Sequence, residues 1–107
     1  MGQILLHRCP ACGYRAEVSG RPDGGLLVAT QTFVCDGCEI VFDGVVRSEP
    51  RPRETTPPDP DGRVARTPRC PQCRGTASLR EWNSGDPCPK CGKGPMSRSE
   101  TPVALWD

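Results

Sequence analysis

Apolar and polar positions alternate along much of this chain with a period of two, the mark of half-buried β-strands. Tyr14-Arg15-Ala16-Glu17-Val18-Ser19 alternates cleanly, and after the turn-rich Gly20–Gly25, Leu26 to Val34 reads as a second strand leading into Cys35. Ile40-Val41-Phe42 and Val45-Val46 flank Asp43-Gly44, a dipeptide that favours a two-residue hairpin turn. Ala77 to Trp82 reads as a strand, residues 83–87 as a turn, and Met96 to Glu100 as a return strand. His7 falls in a further strand near the start. No stretch shows helical periodicity, so the pattern predicts an all-β chain of short antiparallel strands.

One stretch breaks the pattern. Between Glu49 and Arg69 lie six prolines, with Val64 and Ala65 the only apolar side chains besides proline. Proline neither donates to a sheet nor continues a helix. The stretch is expected to be extended, polyproline-like and semi-rigid, a spacer or a docking strip offering Arg51-Pro52-Arg53 to a partner. It divides the chain into residues 1–48, a linker over 49–69, and residues 70–107.

Neither half contains an ordinary core. Hydrophobic residues make up 35% of the 107 positions, only five residues are aromatic, and Gly and Pro together number 25. Units of roughly 40 residues need a disulfide, a metal or a partner to stay folded. The eight cysteines supply that term as four Cys-x-x-Cys pairs: Cys9/Cys12, Cys35/Cys38, Cys70/Cys73 and Cys88/Cys91. Each pair aims two thiolates at one point, and two pairs make a tetrahedral four-sulfur cage, suited to Zn²⁺. The count gives two ions. A structural zinc contributes on the order of 10–16 kcal/mol of apparent binding free energy in small peptides. Four protein thiolates fill the tetrahedron, which argues against metal-assisted hydrolysis. Gly13 and Gly92 follow the second cysteine of their pairs directly and suit the left-handed residue that such a turn needs. Gly75 comes one position later and Gly37 lies inside its loop, so the Cys35–Cys38 turn is expected to be less regular.

Two such knuckles with antiparallel strands between them resemble the zinc-ribbon family, once at Cys9, Cys12, Cys35 and Cys38 and again at Cys70, Cys73, Cys88 and Cys91. The resemblance implies two tandem zinc ribbons, the fold class expected here. The Cys-Pro-x-Cys-Gly form at Cys9–Gly13 and Cys88–Gly92 is similar to rubredoxin knuckles as well, which implies iron and electron transfer as an alternative. Four knuckles can pair in three ways. The proline-rich linker favours sequential pairing, first with second and third with fourth, over an interleaved, cross-braced arrangement.

Ribbons serve many functions, so the resemblance narrows the role little. The net charge is +1, distributed as −2 over residues 1–50, +2 over 51–69 and +1 over 70–107. No broad basic face is evident, although Arg51, Arg53, Arg63, Arg66 and Arg69 form a local cluster. No serine-histidine-aspartate set, phosphate-binding loop or small-molecule site is apparent. The opening residues hold only three consecutive apolar side chains, too few for a secretory or membrane segment, and free thiols fit the cytosol. His7, the only histidine, is expected on a strand face toward solvent or the ribbon's flank, with metal ligation the less favoured role. Tyr14, Trp82 and Trp106 are expected to pack small cores, while residues 103–107 either add a strand to the second ribbon or anchor a partner. The expected function is a non-catalytic zinc-binding adaptor or accessory subunit of a protein assembly. The alternatives are a nucleic-acid or ribonucleoprotein binder and a rubredoxin-like electron carrier.

Overall fold

A computed structural model describes residues 2–106. Among the described residues there is no helix, and nine strands form two sheets: β1 (Gly2–Arg8), β2 (Arg15–Val18), β3 (Asp23–Gly24), β4 (Val28–Cys35), β5 (Ile40–Ser48), β6 (Val64–Ala65), β7 (Leu79–Glu81), β8 (Ser97–Arg98) and β9 (Ala104–Trp106). No helix among the described residues is therefore long and apolar enough to cross a membrane.

The two sheets repeat one plan. In the first, β1 and β2 form a hairpin whose turn is the Cys9–Cys12 knuckle, with Arg8 opposite Arg15. β8, which follows the Cys88–Cys91 knuckle, pairs with the other edge of β1 at His7 and Arg8. In the second, β4 and β5 form a hairpin whose turn is the Cys35–Cys38 knuckle, with Cys35 opposite Ile40. β7, which follows the Cys70–Cys73 knuckle, pairs with the other edge of β4 at Phe33–Cys35. Each unit is thus a hairpin completed by a distant third strand. The inner unit, residues 28–81, is inserted between the two halves of the outer one. The expected succession of ribbons along the chain is replaced by nesting, and strands from before residue 48 and after residue 70 share both sheets.

The core lies between the sheets. Cys9, Val18, Val34, Val41, Trp82, Cys88 and Met96 form one buried cluster, with Tyr14 and Ala16 packed against it. A polar seam runs beside it. The Asp43 carboxylate accepts hydrogen bonds from the Ser19 N–H at 2.9 Å and the Thr32 hydroxyl at 2.6 Å. Thr32 Oγ1 in turn accepts from the Gly20 N–H at 2.8 Å. The Trp82 N–H donates to the Thr32 carbonyl, and the Ser84 N–H to that of Gly20. Every one of these groups is paired, as burial between two sheets requires.

This seam explains why Asp43-Gly44 is not a turn. β5 runs straight through it, Asp43 opposite Thr32 and Gly44 opposite Gln31. Asp43 faces the seam, and Gly44 lets Pro68 lie against the strand, since a Cβ at 44 would stand 2.6 Å from the Pro68 ring. The β4–β5 reversal is made by the knuckle instead. His7 also departs from expectation: it is fully buried, edge-on to Trp82 at 5.4 Å between ring centroids. Nδ1–H donates to the Leu5 carbonyl at 3.1 Å, which leaves Nε2 to accept from the Ser84 hydroxyl at 2.8 Å. Burial lowers its pKa, in keeping with a neutral ring. At Gly20, φ is +74° and a Cβ would run into Ser84 and His7, so glycine alone fits.

Residues 49–69 are not a free spacer. Val64 is buried, and β6 pairs with β5 at Arg47 and Ser48. Arg66 grips the Glu54 carboxylate through both terminal nitrogens at 2.7 and 2.8 Å, and Arg47 pairs with Asp59. Proline bars this strap from a long ladder, but two residues of strand and a few ion pairs suffice to lay it along β5. At the other end, β9 joins β1 of the outer unit, Gly2 opposite Trp106, rather than the strand that follows the third knuckle.

Candidate metal centres

All four knuckles have the same backbone. The residue after the second cysteine returns its N–H to the carbonyl of the first: Gly13 to Cys9, Glu39 to Cys35, Arg74 to Cys70 and Gly92 to Cys88, at 2.7–2.9 Å. That residue is left-handed in every case, with φ of 84°, 57°, 61° and 66° in the same order. The Cys35–Cys38 knuckle is therefore as regular as the others. Glu39 and Arg74 hold a conformation that suits glycine, which composition alone did not reveal. The first cysteine of each knuckle is buried, and the second lies at or near the surface.

The eight thiols gather into two clusters. Cys9, Cys12, Cys88 and Cys91 form the outer one, and Cys35, Cys38, Cys70 and Cys73 the inner one. The first knuckle pairs with the fourth and the second with the third, which overturns the sequential pairing inferred from the linker. The reason lies in the sheets: β8 docks on β1 and β7 on β4, and each carries its knuckle to the turn of that hairpin.

The arrangement fits a metal ion. Within each cluster all sulfurs lie within 4.8 Å of one another. Sγ–Sγ separations are 3.5 Å for Cys9–Cys91, 3.6 Å for Cys12–Cys88 and 3.9 Å for Cys35–Cys73. A tetrahedral Zn–S bond of about 2.3 Å implies an edge of about 3.8 Å. None of the eight cysteines forms a disulfide.

Electrostatics point the same way. N–H groups at Cys12 and Ala11, with neighbouring thiols, outweigh burial and hold Cys9 down to about 6. At Cys70 burial opposes ionisation, yet the Cys73 and Gln72 N–H groups bring it to about 7. Burial and the three neighbouring thiols push Cys38 up to about 12. At Cys12 the Tyr14 N–H favours the thiolate, but desolvation and the Cys88, Cys9 and Cys91 sulfurs win and raise it to about 12. Each cluster thus favours one thiolate, at Cys9 or Cys70, and resists another, at Cys12 or Cys38, as expected of like charges in one small space. A bound cation removes that resistance.

Two residues tie the outer centre to its surroundings. The Tyr14 hydroxyl accepts from the Val41 N–H of β5 at 2.9 Å, linking the outer knuckle to the inner sheet. Lys90 Nζ stands 5.5 Å above the Tyr14 ring, a cation–π contact across the two knuckles of one cage. Comparisons with protein-family models, curated proteins and solved structures return no match.

Proposed function

We propose that this chain is a non-catalytic zinc-binding adaptor or accessory subunit of the cytosol, carrying one Zn²⁺ in each cage and acting by holding another protein. The observation that carries this reading is the closure of each cluster by four thiol ligands, which suits a structural ion and leaves no position for substrate. Zinc is favoured over iron because it suits four thiolates in a tetrahedron and needs no redox shell.

The nucleic-acid reading loses support from the arginines of the strap. Arg66 is committed to Glu54 and Ser48, and Arg63 donates to the Gly25 and Leu26 carbonyls. With Arg69, which donates to the Arg74 carbonyl at 3.5 Å, three of the five cationic groups that reading relies on serve internal contacts. Native mass spectrometry of the purified protein is expected to show two zinc ions and a colourless solution; a visible iron–thiolate spectrum returns the electron-carrier reading. A gel shift at low salt is expected to show no complex with single- or double-stranded oligonucleotides. Affinity capture from the native host is expected to return a defined protein partner, and its failure with metal-loaded bait refutes the adaptor.

A further inference from the structure

We propose that the cleft between β5 and the strap binds an acidic peptide segment whose carboxylates flank large apolar side chains. This rests on the adaptor reading and names the chemistry of its partner. The cleft encloses about 510 Å³ and is floored by Phe42, Val45, Pro68 and Pro71. Phe42 is backed by Phe33, stacked on it at 6.0 Å, and Pro68 is seated on Gly44, so the floor is preformed.

The rim is cationic. Arg51 and Arg69 line the cleft, and among the described residues neither has a carboxylate partner. The Asp43 carboxylate, on the cleft wall, turns inward to Ser19 and Thr32, and that of Glu54 is held by Arg66. Glu54 also accepts the Arg51 N–H at 2.8 Å, while the Glu54 N–H returns to the Arg51 carbonyl. Arg66 and Glu54 together therefore fix the turn that sets Arg51 at the rim. Arg53, inside that turn, has φ of +66°, an unfavourable conformation for arginine that the contact holds in place. The Arg69 guanidinium reaches only the Arg74 carbonyl, at 3.5 Å, and guanidinium groups without a carboxylate partner above an apolar floor complement carboxylates bracketing a large apolar side chain.

The apolar surface continues past Val28, which lines the cleft, to the tip of the β3–β4 hairpin. There the Gly25 N–H meets the Val28 carbonyl and encloses a two-residue loop of Leu26 and Leu27, 78% and 55% exposed. Neither leucine has a positive φ, so the turn places no demand for glycine on them. Two exposed leucines contribute nothing evident to this turn, while Arg63 pins its carbonyls from the strap. Adjacent large apolar side chains left in solvent are expected where a surface serves binding.

The test is a fluorescence-anisotropy titration of the zinc-loaded protein. The probe is a fluorescein-labelled peptide with leucine and phenylalanine between two pairs of glutamates; its glutamine counterpart is the control. Saturable binding of the glutamate peptide is expected, with the glutamine peptide at least about tenfold weaker. The double substitution Arg51→Glu, Arg69→Glu is expected to weaken binding by about tenfold or more. Leu26→Ser with Leu27→Ser, which removes only exposed apolar side chains, is expected to keep the melting temperature and lower the affinity. The proposal is overturned if the glutamate peptide does not bind, if both substitution pairs bind it like the parent, or if a labelled oligonucleotide binds the same arginines more tightly. A captured partner that the Arg51→Glu, Arg69→Glu protein retains removes the cleft while leaving the adaptor role. Loss of all partners with peptide binding intact removes the adaptor role alone.

Discussion

At the scale of single residues, the knuckles turn on one backbone position. Gly13 and Gly92 fill it without strain, whereas Glu39 and Arg74 fill it with side chains that left-handed backbone disfavours. Glu39→Gly and Arg74→Gly are each expected to stabilise the metal-loaded protein by about 0.5–1 kcal/mol, the left-handed cost less the added freedom of glycine when unfolded. Gly13→Ala and Gly92→Ala are expected to have the opposite sign, and the cause is isolated because a Cβ at either site meets nothing within 4 Å. Thermal melts in the presence of zinc measure all four. Stabilisation by the alanine variants, or destabilisation by the glycine ones, contradicts this account of the knuckle. Glycine placement in the sequence pointed to two of these turns; the others were hidden because a four-sulfur cage can hold an unfavourable residue in place.

At the scale of elements, Arg15–Val18 was legible from its alternation and Val28–Cys35 from its apolar and β-branched residues. Asp43-Gly44 misled because each residue answers to a contact distant in sequence, Asp43 to Ser19 and Gly44 to Pro68. The strap misled for a related reason. Its prolines exclude a regular element, yet Val64 and the Arg66–Glu54 pair attach it to β5. That pair is largely shielded, with side-chain exposures of 13% and 15%. Glu54→Gln leaves one neutral acceptor facing a guanidinium, and trypsin is expected to cut after Arg53 on the order of tenfold faster at neutral pH. An unchanged cleavage rate means that the ion pair does not hold the strap.

At the scale of the molecule, the ligands themselves were legible, because Cys-x-x-Cys spacing is local. Their pairing was not, because it is decided by which strand docks on which hairpin. Nesting makes the two centres unequal. Cys38 and Cys70 are 32 positions apart, whereas Cys12 and Cys88 are 76 apart, so the outer cage closes the longer loop. Its loop closes most readily once the inner unit has drawn β4, β5 and β7 together. A Cys88→Ser, Cys91→Ser variant is expected to keep one tetrathiolate Co²⁺ absorption band. Cys35→Ser, Cys38→Ser is expected to bind its single Co²⁺ at least about tenfold more weakly, since the outer cage must then close its loop unaided. Equal Co²⁺ affinities in the two variants refute the hierarchy.

Both cages take one knuckle from before the strap and one from after it. With its ions bound, the polypeptide is therefore riveted to itself twice across a largely exposed stretch. A nick after Arg53 is expected to leave two fragments that migrate as one species on a native gel and separate only when a chelator is added. Fragments that part while still metal-loaded mean that the sulfur atoms have different companions. What holds the two pieces together is then coordination chemistry rather than an unbroken backbone.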